Sequence, residues 1–240
     1  RMAVADGILV AACSPPFCNG LSTPSPFEIR QAVSDFGKHL VDAHVPLHVV
    51  PSSEVHFRTD LVEALQAGQL QSINGSRYVM VDLPPMVPPA KLEAVLRNML
   101  AAGRIPVLAS PERLKWIEAG LDFITEMVEA GVWLQVTAGS LAGTFGPRTR
   151  YWAERLLGNS MVHILASDAH DLGRRSPRLS DGFDLARKIV GEDEAMNLVL
   201  ARPLNILDNE PVEASPQVAV TVEESWNPVA DLRDLLKRAV

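Results

Sequence analysis

Six short apolar runs alternate with stretches of helical spacing, and that alternation limits the fold more than any other feature of the chain. The runs lie at residues 8–12, 47–50, 78–83, 105–109, 132–136 and 162–166. Each is bounded by turn residues, which suits a strand buried on both faces. Amphipathic helices are predicted at 27–43, 60–67, 91–102, 122–130, 149–157, 182–190 and 192–200, two of them ended by Gly103 and Gly131. Strands alternating with helices build a parallel sheet, because each crossover helix carries the chain back to the end where the next strand starts. No repeat or linker interrupts the pattern. Composition shifts only near Pro211, so residues 1–210 read as one α/β domain. Residues 211–240 read as a tail with a terminal helix at 227–240, packed on the domain or on a neighbouring subunit of a homo-oligomer.

Composition narrows the class further. Of 240 residues, 47% are hydrophobic and 21% charged, which excludes a disordered chain. With 22 basic against 29 acidic residues the net charge is −7, which argues against a nucleic-acid surface. Cys13 and Cys18 are the two cysteines, in a C-x4-C spacing with no second pair. That provides neither a disulfide framework nor a zinc knuckle, and a reducing cytoplasm is expected. No run approaches the ~20 apolar residues of a membrane span, and no signal peptide is visible. Residues 1–7 read as the end of a helix, so the native N-terminus is expected upstream.

In parallel β/α folds, chemistry gathers at the C-terminal ends of the strands. The residues found there are Ser14 and Pro16, then Glu54, Asp82, then Ser110, Glu112 and Arg113, then Thr137 and Ser140, and finally Ser167, Asp168 and His170. Asp168 and His170, two apart beyond a buried strand, can reach one metal ion, and a carboxylate with an imidazole suits zinc, manganese or iron. The plainer alternative is a helix-capping Asp with an exposed His beside it. Glu54 and Asp82 are each readable as a cap or ion-pair partner; together with Asp168 and His170 they form a cluster whose repulsion needs a cation or protons. Arg113 can clamp a phosphoryl group in two-pronged fashion, or form a solvated surface pair with Glu112.

The remaining candidates are weaker. His39 and His44 fall on or after a helix, His48 and His163 lie within strands as core or back-face residues, and His56 stands near Glu54. The cysteines lack a C-x5-R phosphate loop, which disfavours a thiol phosphatase. Neither a Walker loop nor a G-x-G-x-x-G fingerprint is present.

Several segments, taken in order, resemble one family. G-R-I-P-V-L-A-S-P-E-R at 103–113 resembles "G-x-I-P-V-I-A-H-P-E-R" of bacterial PHP-superfamily tyrosine-protein phosphatases, the manganese-dependent enzymes of capsule and exopolysaccharide operons. Q-V-T-A-G-S-L-A-G-T-F-G at 135–146, V-H-I-L-A-S-D-A-H at 162–170 and R-S-P at 175–177 resemble further family segments. N-G-S-R-Y at 74–78, leading to Asp82, and V-P-S-S-E at 50–54 are similar to "N-x-S-x-Y-x-L-I-E" and "V-L-P-G-x-E".

The resemblance implies a distorted parallel β/α barrel of the PHP type, with the family's first strand missing from this chain. It implies a divalent metal cluster, manganese in this family, at the barrel mouth. Carried over by position, Glu54, Asp82, Asp168 and His170 are metal ligands. Arg113 and Arg175 bind the phosphate, and Arg113, Asp168 and His170 serve catalysis. Metal-activated water then hydrolyses phosphotyrosine on the tail of a polysaccharide-export kinase.

The departures are specific. The family's opening "D-x-H-x-H" strand and "D-D-G" turn are not in the chain, "T-P-H" stands here as Ser14-Pro15-Pro16, and the histidine of "A-H-P-E-R" is Ser110. Proline offers no ligand atom and a neutral hydroxyl is a poor one. Two functions of different class therefore stand. One is a phosphatase with a reduced metal site. The other is a degenerate member that binds a phosphotyrosine tail or partner without efficient turnover. A histidinol-phosphate phosphatase fits the 135–146 segment less well.

Overall fold

The structure, a computed structural model, describes residues 1–17 and 24–209. Cys18, the 211–240 tail and its terminal helix lie outside the described residues. Along the chain run α1 (Met2–Ala5), β1 (Val10–Cys13), β2 (Pro16–Phe17), α2 (Pro26–Asp42), β3 (His48–Pro51), β4 (Glu54–His56), α3 (Leu61–Gln66) and β5 (Tyr78–Asp82). They are followed by α4 (Leu92–Ala101), β6 (Ile105–Ala109), α5 (Leu121–Glu129), β7 (Trp133–Thr137), α6 (Ala138–Leu141), α7 (Pro147–Gly158) and β8 (Ile164–Ala166). Last come α8 (Ser180–Val190), α9 (Glu192–Met196) and α10 (Arg202–Leu207). No helix among the described residues is long and apolar enough to cross a membrane.

Every strand pairing is parallel, as the alternation predicts. β1 pairs with β3, and β2-β4-β5-β6-β7-β8 form a six-stranded sheet. The two sheets are one surface with a bend. Between β1 and β2 lie Ser14 and Pro15, and between β3 and β4 lie Ser52 and Ser53. Across the breaks the Ser52 amide donates to the Cys13 carbonyl at 3.0 Å and the Glu54 amide to the Pro15 carbonyl at 3.1 Å. Both strands thus turn together, and spatial order follows chain order from β1/β2 to β8. That is the order of a sheet wound in one direction. A closed barrel was expected, but among the described residues no ladder joins β8 to β1.

Strand residues alternate between two buried faces. Val55, Val79, Val81, Leu108, Leu134, Val136 and Leu165 face the helices in the main core. Tyr78, Val107, Trp133 and Ile164, with Met80 and Ala166, form a second cluster on the opposite face. Burial on both faces explains why the sequence shows unbroken apolar runs instead of polar alternation. The period also assigns Asp82 to the face of Tyr78 and Met80, and Glu54 and His56 to the face opposite Val55. Those side chains sit at the C-terminal rim of the second cluster.

Local chemistry sets the helix ends. At α2 the Ser25 hydroxyl accepts from the Glu28 amide at 3.3 Å while the Glu28 carboxylate accepts from the Ser25 amide at 2.7 Å, a capping box with Pro26 in the first turn. The predicted helix at 192–200 is instead interrupted. After α9 the chain makes a π-helical turn over Asn197–Ala201 and re-enters α10. The reason is Arg202, buried to 4% exposure, whose two terminal nitrogens reach both Glu194 oxygens at 2.8 and 3.1 Å. A wider turn brings the guanidinium onto its carboxylate. Sequence reading also missed β4 and α6.

Candidate functional site

The rim residues meet at the C-terminal ends of β4, β5, β6 and β8. Asp168 is their centre. It follows β8 in the left-handed region, with φ 49°. Its Oδ2 accepts from Arg175 Nη2 at 2.5 Å, Arg113 Nη1 at 3.2 Å and Thr137 Oγ1 at 3.4 Å. Its Oδ1 lies 3.2 Å from His170 Nε2. Asp168 is 15% exposed, so these are substantially desolvated, charge-assisted contacts. The loop that returns Arg175 is pinned by the Asp171 carboxylate, which accepts from the amides of Gly173 at 2.7 Å and Arg175 at 3.1 Å.

The Arg113 side is built by a tight turn. Ser110 also takes a left-handed backbone, φ 48°, and a 3-10 turn over Pro111–Arg113 follows. A positive φ at a non-glycine residue costs energy, and two such residues at the ends of β6 and β8, the two strands flanking β7, mark a site held by its surroundings. The turn sends Arg113 over the Phe145 ring, 4.9 Å from its centroid, and drives Glu112 inward. Glu112 is fully buried. Its Oε1 accepts from the Thr137 amide at 3.1 Å and the Ser140 hydroxyl at 2.7 Å, while Oε2 has no partner. The surface-pair reading of Glu112 with Arg113 is therefore wrong: Arg113 pairs with Asp168, and Glu112 ties the turn to the start of α6. Burial pushes the Glu112 carboxyl up to about 7.

The carboxylates feel one another. Burial, then the Asp82 and Asp168 carboxylates, raises Glu54 to about 7. Burial also raises Asp82, with His56 opposing it. His56 Nδ1 lies 2.6 Å from Asp82 Oδ2. Its position opposite Asp82 in the β4–β5 register explains the contact. Sequence reading gave His56 little weight because β4 had not been recognised; the period-2 offset from Glu54 was the available signal.

The structure thus brings together Glu54, Asp82, Arg113, Asp168, His170 and Arg175, and adds His56 and Thr137. The replaced positions are here too. Pro16 lies opposite Glu54 in the β2–β4 ladder, and Ser110 Oγ is 2.7 Å from Thr137 Oγ1. Cys13, half-buried at the end of β1, has its thiol raised by burial, which opposes a thiolate. The other histidines are elsewhere. His39 Nδ1 lies 2.7 Å from its own helix's Asp35 carbonyl, and His48 is exposed at the start of β3 rather than in a core. His163 is buried, as read. Among the described residues, no three His, Cys, Asp or Glu side chains are placed to hold one metal ion. Asp168 is engaged by two guanidiniums, and Pro16 and Ser110 bring no ligand. These donors, as placed, do not fit a metal cluster.

Comparison with known proteins gives this geometry a context. Tyrosine-protein phosphatase YwqE of Bacillus subtilis is 31% identical over 193 residues, spanning 80% of this chain and 76% of its own. Tyrosine-protein phosphatase CpsB of Streptococcus pneumoniae is 24% identical over 185 residues, 75% of this chain and 73% of its own. A chain from the crystal structures of YwqE from Bacillus subtilis and CpsB from Streptococcus pneumoniae, described as unique metal-dependent tyrosine phosphatases, superposes with a TM-score of 0.85 at 29% identity. That superposition covers 90% of this chain and 88% of the other. The family model for capsular polysaccharide synthesis, CpsB/CapC, matches residues 1–208. The chain belongs to the CpsB/CapC family of capsular polysaccharide synthesis.

Proposed function

We propose that the rim binds phosphotyrosine on a protein and hydrolyses it as a protein-tyrosine phosphatase. One observation carries this reading: Arg113 and Arg175, from two different strand ends, converge on a single carboxylate oxygen of Asp168. A phosphoryl oxygen offers the same acceptor chemistry with more charge, so the two guanidiniums are preorganised for it. Phe145 beneath Arg113 gives a tyrosyl ring an apolar wall. As a water oxygen bonds to phosphorus and the bond to the tyrosyl oxygen breaks, His170, half-exposed and next to Asp168, is placed to return a proton to that leaving oxygen. Glu54 and Asp82 add further carboxylates beside Asp168. In this reading the rim belongs to a distorted PHP-type barrel. The substrate is the phosphotyrosine tail of a polysaccharide-export kinase, and manganese is the ion that the resemblance implies. Because the described donors do not fit a metal cluster, no step is assigned to the ion.

A second reading has its own observation. Pro16 and Ser110 stand at two positions where the resemblance expects histidine ligands, which favours a member that binds phosphotyrosine without turning it over. Turnover of a phosphotyrosine peptide, measured with added manganese and with chelator, separates the two. Turnover is expected. A peptide that binds but is not hydrolysed under either condition supports the binding module and overturns the enzyme.

A further inference from the structure

Beside the rim lies a cleft of about 210 Å³ between the 137–145 segment and the 167–182 loop. We infer that this cleft is a second anion subsite, which recognises a carboxylate or phosphoryl group flanking the phosphotyrosine on the same peptide. The inference rests on the phosphotyrosine reading of the rim.

Three arginines line it, Arg174, Arg175 and Arg178, with Asp181 the one carboxylate in the lining; outside the lining, Asp168 takes one Arg175 nitrogen and Asp6 feels the Arg178 charge. In a chain with net charge −7, such a concentration of guanidinium is local and directional. The arginines are only partly engaged by internal partners. Arg175 spends Nη2 on Asp168, but its Nε is buried with no hydrogen-bond partner. A buried donor left unpaired costs about 1–3 kcal/mol, and an external acceptor removes that cost. Arg174 donates from Nη2 to the Thr144 carbonyl at 2.8 Å and lies 5.6 Å from the Phe145 centroid, which fixes its fork while leaving other N–H groups free. The Arg178 side chain makes no hydrogen bond or ion pair among the described residues, although its charge helps to lower the Asp6 carboxyl; its backbone amide donates to the Ser176 carbonyl at 2.8 Å.

Two features join cleft to rim. Arg175 and Thr137 belong to both. The Phe145 ring, which lines the cleft, carries Arg113 on the rim and Arg174 in the cleft, at 4.9 and 5.6 Å. Like charges held on one ring stand ready for two neighbouring anions. The far wall is fixed by close packing: a Cβ on Gly182 would lie 2.5 Å from Ala138 Cβ, so glycine lets α8 approach α6. The volume is well above the about 10–15 Å³ that one water needs, which leaves room for an acidic side chain or a phosphoryl group.

Peptides bearing phosphonomethyl-phenylalanine, which is not hydrolysed, test this by binding alone. Three are compared by fluorescence anisotropy at low salt: one with neutral flanks, one with Asp and Glu flanks, and one with a second phosphonate. The intact protein should bind at least one anion-flanked peptide about tenfold tighter than the neutral one, consistent with one or two charge-assisted hydrogen bonds. The two anionic arms tell carboxylate from phosphoryl. In Arg178→Gln, and again in Arg174→Gln, that ratio should fall toward one. A ratio near one in the intact protein, or an undiminished ratio in Arg178→Gln, overturns the subsite while the rim reading stands. No binding of any peptide overturns the rim reading and the subsite with it.

Discussion

Glu112 and His163 are both buried titratable side chains flanking strands of one sheet, and they are treated in opposite ways. His163, just before β8, stacks on Trp133 with ring centroids 4.9 Å apart and accepts from the Leu134 amide at 3.2 Å. Burial, with the Arg202 cation nearby, depresses it to about 3, so it is a neutral aromatic acceptor. Glu112, just past β6, has one oxygen doubly satisfied and the other bare. Towards the strand starts the chain uses a polar group to complete packing. At the strand ends it tolerates an unpaired oxygen, left-handed backbone at Ser110 and Asp168, and carboxylates crowded onto two arginines. Strain is not confined to that end, since His44, Asn74, Lys91, Ser160 and Asn209 are also left-handed, but at the rim it coincides with an unpaired carboxylate oxygen where binding is proposed.

The sharpest way to break this contrast is Arg113→Ala. The substitution removes one of two preorganised donors on the acceptor position and leaves the fold's cores untouched. Under the phosphatase reading kcat/KM on a phosphotyrosine peptide should fall by about 100-fold or more, the range for loss of one such donor. Unchanged kinetics and unchanged peptide affinity would remove Arg113 from the site.

Next in size is the proton on Glu112. The folded carboxyl titrates near 7, against 4.5 for the ordinary group. Below 4.5 both states hold the proton. As pH rises from there through 7 the unfolded chain releases its proton first, so native stability falls, by at most about 3 kcal/mol at ~1.36 kcal/mol per unit. Glu112→Gln keeps Oε1 and replaces the unpaired Oε2, and it has no proton to lose. Urea unfolding across this interval should show the variant gaining on the native protein as pH rises. Parallel stability curves would mean Glu112 ionises normally, and its bare oxygen would need another partner.

His163→Phe tests the other member. The ring stack on Trp133 is kept and the acceptor for the Leu134 amide is lost, at a cost of about 1–3 kcal/mol near neutral pH. The pH sign is reversed from Glu112. As pH falls below 6.5 the unfolded chain takes up a proton that folded His163 refuses until about 3, so native stability drops on the acid side. The variant should lack that part of the acid loss in thermal melts. A variant as acid-sensitive as the native protein would show that His163 charges in place.

Much of this architecture is legible in the sequence, and the exceptions share a cause. Parallel strands follow from apolar runs such as 105–109 and 132–136, because burial on both faces leaves no polar alternation. Asp82, Arg113 and Asp168 are legible because strand ends in such a sheet point to one rim. What adjacency suggests and the fold denies is the fate of Glu112: beside Arg113 it reads as half of a surface pair, but left-handed Ser110 and the turn after it rotate the two side chains apart. Pro51, Ser52 and Ser53 hide β4, so His56 loses its strand neighbour Glu54. The Arg202–Glu194 pair, which sets the π-helical turn, depends on tertiary burial that no local spacing reveals. Local backbone departures such as those at Ser110 and Asp168 are invisible to periodicity.

The smallest effect separates support of the rim from the rim itself. Asp6, after α1, reaches α8 across the chain: its Oδ2 accepts from the Leu179 amide at 2.6 Å and the Ser180 amide at 3.0 Å, and its Oδ1 from the Ser180 hydroxyl at 2.6 Å. It acts as an N-cap donated from a distant segment, satisfying amides that no residue of α8 covers. Asp6→Ala should cost about 1 kcal/mol, typical for a lost cap, and Asp6→Asn about half of that because one acceptor remains. The prediction has a spatial edge: α8 carries Asp181 and Gly182 at the cleft. Hydrogen exchange should therefore rise in the first turn of α8 and in the 173–178 loop, while the amides of β7 around His163 keep their protection. If Asp6→Ala loosened β7 as much as α8, the two ends of the sheet would be one cooperative unit, and the contrast between Glu112 and His163 would be chemical but not mechanical.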